Sequence, residues 1–276
     1  MTEIREIAEI LMPGPALALS ELLDVSCPDF ESGEALPLTW HWLYLLDRPH
    51  QRDLGDDGHP VRNAFPTPPA TGLRRMWAGG MVQSVRPLRV GELASRRSKI
   101  DRVVRKKGRT GPLMFVTVEH EVVQRGDTAV RERQDIVYRE PSARGADDAD
   151  EPSPEVVQRR EGDWSIPVSP TLLFRFSALT YNAHRIHYDR DYAGTVEGYP
   201  GLVTHGPLQA MAMAERARAQ GAMPVGFSAT FEYTLIAPLF DHQGLIVRAD
   251  PGLGSWTTTA RDVTGRRTAS GTVISV

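Results

Sequence analysis

Four polar side chains lie close together in the second half of the chain. The stretch SALTYNAHRIHYDRDYA (residues 177–193) carries Asn182, His184, His187 and Asp189. Histidine exchanges protons near neutral pH, so the stretch is a candidate catalytic site. A metal site is an alternative, because His184 and His187 are three residues apart and Asp189 or Asp191 offers a carboxylate. Two histidines at this spacing are a weak metal signal, and we expect no metal; a solvated loop is the third interpretation.

A helix is predicted shortly after this stretch, in HGPLQAMAMAERARAQG (residues 205–221). Pro207 suits its first turn and Gly221 suits its end. The free N–H groups at a helix start stabilise negative charge that develops on a carbonyl oxygen. Gly206 N–H is therefore a candidate oxyanion donor. Together with the histidines, it favours addition or elimination next to a carbonyl group.

The elements that must position these residues repeat along the chain. In each half a strand ends in Pro-Leu and is followed by a glycine, another strand and a hairpin that turns at a second glycine. In the first half these residues are Pro87–Leu88, Gly91 and Gly126. In the second half they are Pro238–Leu239, Gly244 and Gly265. This repeat predicts a duplicated unit in which an antiparallel sheet wraps around a central helix. The second unit keeps the helix, and the first has a Pro-rich segment in its place. Two unrelated α+β domains are the alternative.

Residues 141–155 are acidic and rich in proline, which predicts a linker between a domain at 1–140 and a domain at 156–276. Near the start of the chain, apolar spacing predicts one helix over residues 3–12 and a second over 16–25. Residues 50–72 are rich in Pro, Gly and Asp and predict a loop.

Composition narrows the class of protein. The 276 residues carry a formal net charge of −3, which argues against a nucleic-acid partner. The chain has no apolar run long enough to cross a membrane, and acidic residues near its start argue against a signal peptide. Cys27 is the only cysteine, which excludes an intrachain disulfide. We therefore expect a cytoplasmic protein.

Two segments resemble the motif pair of the MaoC-like, or (R)-specific enoyl-CoA hydratase, family. They are TYNAHRIHYDRDYA (residues 180–193) and GLVTHGPL (residues 201–208). The segments DGHP, RRMWAGG, RPLRVGE and DIVYRE, which begin at residues 57, 74, 86 and 135, are similar to the two-domain subgroup with hydroxyacyl-thioester dehydratase type 2 and mesaconyl-C4-CoA or itaconyl-CoA hydratases. The resemblance implies an α+β double hotdog: two antiparallel sheets, each wrapped on a central helix, with the N-terminal unit degenerate.

The resemblance also implies roles for the polar stretch. It places the family's catalytic Asp at Asn182, its Asn at His184 and its catalytic His at His187. An amide cannot take a proton as a carboxylate does. Our hypothesis is that His187 is the main proton-transfer residue, while Asn182 orients water or the histidine tautomer. His184 would be a second proton-handling group, and Gly206 N–H would bind the thioester carbonyl.

The implied reaction is reversible hydration of an α,β-unsaturated acyl-CoA with a small dicarboxylic acyl group. Its carboxylate would meet Arg74 or Arg75, because arginine suits carboxylate geometry. Tyr199 and Leu202 would line the acyl pocket. The predicted contacts with the phosphates of coenzyme A are Lys106 and Arg109. Coenzyme A enters as part of the substrate, no separate cofactor is expected, and the protein would be a monomer or homodimer.

Three other functions stay open at this point. One is a 3-hydroxyacyl-thioester dehydratase of fatty-acid synthesis, which would prefer longer acyl chains. Another is a non-catalytic acyl-thioester-binding subunit, because Asn182 stands in place of the carboxylate. The third is a thioesterase, since hotdog folds also host that activity.

Overall fold

The structure is a computed structural model that describes residues 4–62, 65–66, 73–108, 111–140, 156–223 and 228–275. Five strands come from the first half: β1 (Ile4–Ile10), β2 (Arg74–Ser84), β3 (Leu93–Gly108), β4 (Gly111–Gln124) and β5 (Asp127–Arg139). Five come from the second half: β6 (Trp164–Ile166), β7 (Ala229–Leu235), β8 (Leu245–Pro251), β9 (Trp256–Arg261) and β10 (Arg267–Ser275). The helices are α1 (Pro13–Leu23), α2 (Pro170–Leu179), α3 (Arg190–Thr195) and α4 (Gly206–Ala219).

The strand order confirms the duplicated unit. The first half runs β1-β3-β4-β5-β2 and the second, read from its outer edge, runs β6-β8-β9-β10-β7. In both halves the first strand lies outermost and the second strand lies at the inner edge. The linker predicted at 141–155 lies outside the described residues, so the domain boundary stays a prediction.

The two predicted sheets are in fact one sheet of ten strands. The inner-edge strands β2 and β7 pair antiparallel, with Gly80 opposite Tyr233. Two free edges would leave backbone N–H and C=O groups unpaired, and joining them pairs those groups. A Cβ atom on Gly80 would lie only 2.2 Å from the carbonyl oxygen of Arg133, so this crowded position needs a glycine.

The central helix of the second half is α4. Its apolar side chains are buried against β7–β10, including Leu208, Met211 and Ala214. The first half has α1, which packs against α2, and short 3₁₀ turns at Trp40–Leu43 and Gln51–Asp53. Within the described segments no counterpart of α4 lies on the first half of the sheet, as expected of a degenerate unit.

The prediction of a helix over residues 3–12 is wrong, because this segment contains strand β1. Its side chains alternate between half-buried and exposed, and Ile7 pairs with Arg96 on β3. The apolar residues that suggested a helix include Ile4, which is largely exposed at the sheet edge, and Ile7, which is partly buried. Their β-branched side chains suit a strand as well as the spacing suited a helix. The second predicted helix is confirmed as α1.

The second half contains a buried cluster of three charged side chains: Asp163, Arg248 and Arg261. The Asp163 carboxylate accepts hydrogen bonds from Arg248, whose Nε lies 2.8 Å from Oδ1, and from Arg261. All three side chains are at least nine-tenths buried.

Among the helices described, none is long and apolar enough to span a lipid bilayer.

Candidate active site

A cavity of about 1920 Å³ opens between the two halves of the molecule. The first half contributes the loop at residues 54–61 and part of β2, and the second half contributes α2, the polar stretch and the start of α4. All four predicted catalytic residues line this cavity: Asn182, His184, His187 and Gly206. The structure therefore brings together residues that the sequence only placed near one another along the chain.

His187 is buried in a 3₁₀ turn with one ring nitrogen fixed. Its Nδ1 lies 2.6 Å from the carbonyl oxygen of Val203, which can only accept, so Nδ1 carries the proton. The other nitrogen, Nε2, then holds a lone pair. Burial lowers the pKa of His187 to about 4, although the bond to Val203 opposes this shift. At neutral pH the residue is a neutral imidazole that can accept a proton.

The ring of His205 stacks against the ring of His187 and limits its movement. The two rings stack with centroids 3.6 Å apart and planes 18° apart. His205 is fully buried, and its Nε2 lies 2.9 Å from the hydroxyl of Ser177 on α2. Sequence reasoning gave this residue no role, since the spacing of residues along the chain does not reveal ring stacking.

Asn182 fixes the loop that carries His184. Its backbone N–H donates to the carbonyl of Ser177 at 2.8 Å, and its Oδ1 accepts from the backbone N–H of His184 at 3.0 Å. This second bond is an Asx-type turn. It directs the ring of His184 into the cavity wall, where the centroid lies 5.4 Å from that of His187. The role of Asn182 in orienting water stays a prediction.

Asp57 and His59 also line the cavity, although the DGHP segment that contains them predicted no role for either residue. Their loop comes from the first half and packs against the polar stretch. A Cβ atom on Gly58, where φ is +85°, would lie 1.9 Å from the carbonyl oxygen of Ala183. The carbonyl of Asp57 accepts a hydrogen bond from the backbone N–H of Arg185 at 2.8 Å. Only glycine permits this close approach.

His59 extends the group of imidazoles along the cavity wall. Its ring centroid lies 4.0 Å from that of His184, and its Nδ1 lies 3.2 Å from the carboxylate of Asp57. Burial lowers the pKa of His59, while the Asp57 bond raises it and the charge of Arg75 lowers it further. Burial also lowers the pKa values of His184 and His205. The group is therefore neutral at neutral pH.

The metal set considered from the sequence is not assembled. Asp189 accepts from the backbone N–H of Tyr192 at the start of α3 and pairs with Arg185, so its carboxylate is already engaged. A different set is brought together, because donor atoms of Asp57, His59 and His184 all lie within 4.8 Å of one another.

Gly206 is the first residue of α4 and lies on the cavity wall. The first N–H groups of a helix have no partner within that helix, so this one is available to a ligand. A Cβ atom at this position would lie 2.3 Å from Cδ1 of Leu235. A larger residue here would therefore displace the side chain of Leu235.

Arg75 supplies the available positive charge in the cavity. Five arginines line the described part of the wall: Arg74, Arg75, Arg96, Arg139 and Arg266. Arg74 pairs with Glu197 at 2.7 Å, Arg96 with Asp47 and Arg266 with Asp262, and Arg139 is also engaged. Within the part of the chain described, no carboxylate pairs with Arg75. Its charge acts on His59 and His184, which places it beside the imidazoles.

The remaining predicted binding residues are scattered. Tyr199 lines the cavity, with Arg74 lying 5.7 Å from its ring centroid. The side chain of Leu202 packs in the core and does not line the cavity, and its backbone N–H donates to Asp241. Lys106 is exposed on β3, away from the cavity, and lies over Phe115. Arg109 lies outside the described residues.

A protein-family model described as hydroxyacyl-thioester dehydratase type 2 matches residues 39–241. This match spans both halves and includes every cavity segment described above. A mesaconyl-C4-CoA hydratase of Chloroflexus aurantiacus is 48% identical over 211 residues, covering 75% of this chain and 71% of that protein. The mitochondrial hydroxyacyl-thioester dehydratase type 2 of Schizosaccharomyces pombe is 26% identical over 253 residues, covering 82% of each.

Solved structures share the fold. The crystal structure of HtdX of Mycobacterium tuberculosis covers 99% of this chain and 100% of its own, with a TM-score of 0.68 and 16% identity. At this identity the likeness concerns the architecture alone. It agrees with the predicted α+β double hotdog.

Proposed function

The chain belongs to the hydroxyacyl-thioester dehydratase type 2 family, and from this premise we propose that it reversibly adds water to an α,β-unsaturated acyl-CoA of the mesaconyl-C4-CoA type. One observation carries the proposal. A neutral, buried His187 with a free Nε2 faces the same cavity as the first N–H of α4. That pair is what proton exchange next to a thioester carbonyl requires.

The chemistry follows from this placement. The thioester oxygen binds at Gly206 N–H, where the positive end of α4 stabilises the enolate that forms as water adds. Water oxygen bonds to the β-carbon, the electron pair of the double bond moves onto the thioester, and the α-carbon takes up a proton. His187 Nε2 is the group that exchanges this α-proton. In the reverse direction it removes the α-proton as hydroxide leaves.

Arg75 is the proposed partner of the second carboxylate. In a mesaconyl-C4 group that carboxylate is bonded to the β-carbon, which is the carbon that water attacks. We propose that, with the thioester at Gly206, the carboxylate meets Arg75, whose charge acts on His59 and His184. A guanidinium without a carboxylate partner among the described residues fits this role, whereas Arg74 is held by Glu197.

We expect Arg75→Gln to change substrate preference. Loss of one charge-assisted bond costs about 1.5–3 kcal/mol, or roughly 10- to 150-fold in kcat/KM for mesaconyl-C4-CoA. Crotonyl-CoA has no second carboxylate, so the ratio of the two kcat/KM values should fall by that factor. Arg75→Lys is the matched control, because it keeps the charge and should keep most of the ratio. An unchanged ratio in Arg75→Gln would remove Arg75 from substrate recognition.

The test of the function is a hydration assay of the purified chain. It follows loss of enoyl-thioester absorbance with mesaconyl-C4-CoA, itaconyl-CoA, crotonyl-CoA and a ten-carbon 2-enoyl-CoA, with free thiol recorded in parallel. We expect hydration of a dicarboxylic substrate to be fastest. Thiol release would indicate a thioesterase, and binding without turnover would indicate a non-catalytic subunit.

A second candidate is dehydration of longer 3-hydroxyacyl thioesters. The description of the matching family model favours it, and a cavity of about 1920 Å³ offers room for a longer chain. Faster turnover of the ten-carbon substrate would select this candidate.

Either reaction needs no cofactor beyond the coenzyme A of the substrate. We propose that it takes place in the cytoplasm, in a monomer or homodimer, since one chain supplies both halves of the cavity.

A further inference from the structure

Hydration includes two proton transfers, and His187 serves the one at the α-carbon. The second proton comes from the water that attacks the β-carbon. At the motif position where a carboxylate is expected stands Asn182, and its Oδ1 is occupied by the backbone N–H of His184. An amide is no base in any case. The group that takes the proton of water must come from elsewhere in the cavity.

The loop at residues 54–61, which lines the cavity, carries a carboxylate–imidazole pair, Asp57 and His59. The Asp57 carboxylate accepts from the backbone N–H of His59 at 2.9 Å and lies 3.2 Å from its Nδ1. Nδ1 therefore carries a proton and Nε2 holds the lone pair. The His59 side chain is 17% exposed and lines the cavity. A carboxylate that fixes the tautomer of a histidine and stabilises its protonated form is a recurrent arrangement of general bases.

The pair is held rigidly against the polar stretch. Gly58 touches the carbonyl of Ala183, and Arg185 bonds to the backbone of both Asp56 and Asp57. These contacts fix the distance between His59 and the histidines of the second half. A catalytic group needs such fixed supports, because small displacements cost much activity.

We propose that His59 is a further catalytic residue, which exchanges the proton of the water at the β-carbon, and that Asp57 positions it. This inference rests on the proposed hydration. As water oxygen bonds to the β-carbon, its O–H bond breaks and the proton passes to Nε2 of His59. The double-bond pair moves onto the thioester, which gives an enolate held at Gly206 N–H. Nε2 of His187 starts with a lone pair, so it must receive this proton before it can protonate the α-carbon.

The position of His184 completes the cycle. Its ring lies between the other two, with its centroid 4.0 Å from that of His59 and 5.4 Å from that of His187. The proton on His59 passes through His184 to Nε2 of His187, which delivers it to the α-carbon, and all three imidazoles are then neutral again. The location of Arg75 beside His59 agrees with this assignment, because the substrate carboxylate belongs to the same carbon that water attacks.

The first test compares His59→Ala with His50→Ala. His50 is an exposed histidine of the same segment that does not line the cavity, so its variant should hydrate mesaconyl-C4-CoA like the wild type. Loss of a general base lowers kcat by about 10²–10⁴-fold, which is the result expected for His59→Ala. Added imidazole should restore at least about tenfold of that loss, since the vacated space admits it, and should leave the His50 variant unaffected.

Asp57→Asn gives a second, conservative test. The amide keeps the size of the side chain but does not stabilise imidazolium, so kcat should fall by at least about tenfold. Because Asp57 raises the pKa of His59, its loss should also move the acid limb of the kcat–pH profile to lower pH. A purely structural role of Asp57 would lower kcat without moving that limb.

Several results would overturn the inference while leaving hydration itself established. One is a His59→Ala variant within threefold of wild-type kcat. Another is a variant that is inactive, folds normally and gains nothing from imidazole. A third is wild-type activity that EDTA abolishes and Zn²⁺ restores, which would assign Asp57, His59 and His184 to a metal ion. If the wild type hydrates none of the thioesters, the proposed function fails instead.

Discussion

His187→Gln should lower kcat for hydration by about 10²–10⁴-fold, the usual contribution of a proton-transfer residue. Glutamine keeps a side-chain N–H that can donate to the carbonyl of Val203, so the buried hydrogen bond is retained. It has no nitrogen that takes a proton. Steady-state kinetics on mesaconyl-C4-CoA measure the loss, and KM should change much less than kcat, because the thioester contact at Gly206 is untouched.

The matched control for this variant is His242→Gln. His242 is also in the second half, but its side chain is about half exposed and does not line the cavity. It should keep wild-type kcat. If His187→Gln stays within tenfold of the wild type while its melting temperature falls, His187 is a structural histidine, and the proton at the α-carbon is exchanged by another group.

Asp163→Ala should reduce the free energy of unfolding by about 3–5 kcal/mol, the usual cost of breaking a buried ion pair from one side. The substitution leaves the guanidinium groups of Arg248 and Arg261 buried without their shared carboxylate. Urea unfolding measures the loss as a lower midpoint at an unchanged slope. The control is Asp250→Ala, whose exposed pair with Arg160 should contribute less than about 1 kcal/mol. Equal midpoints for the two variants would contradict the prediction.

The same cluster has a defined pH dependence. Burial alone would raise the pKa of Asp163, but hydrogen bonds from Arg248 and the backbone of Arg160, together with the charge of Arg261, lower it below its ordinary value of 3.8. A carboxyl with a lowered pKa stabilises the folded state above its unfolded pKa. The difference between wild type and Asp163→Ala should therefore be full at pH 7 and shrink as pH falls below about 4.

The repeated layout of the chain predicted the fold because both halves show the same order of strands, turns and glycines. The polar stretch predicted the site because Asn182, His184 and His187 are close along the chain. Strand β1 escaped prediction, since an edge strand need not bury one face and its apolar spacing also fits a helix. The pairing of β2 with β7, which joins the two predicted sheets, was not predicted for a related reason. No local sequence pattern specifies which sheet edges pair.

Asp57 and His59 escaped because their role depends on a contact between residues far apart along the chain. Gly58 meets Ala183 only after both halves are folded. The motif also could not tell which way a neighbouring side chain points. Tyr199 reaches the cavity, whereas Leu202, three residues later, is in the core. Spacing along a loop does not determine side-chain direction as it does along a helix or strand.

The antiparallel pairing of β2 with β7 affects how the chain folds during its synthesis. It pairs residues 79–84 with residues 229–234, so it closes a very long loop of chain. Such non-local pairing forms slowly, because the entropy of closure is lost before the contacts compensate for it. Strand β10, which flanks β7, is synthesised after all the histidines of the cavity wall. A nascent chain therefore carries its histidines before it has a cavity, and activity should arise only after β7 and β10 have left the ribosome.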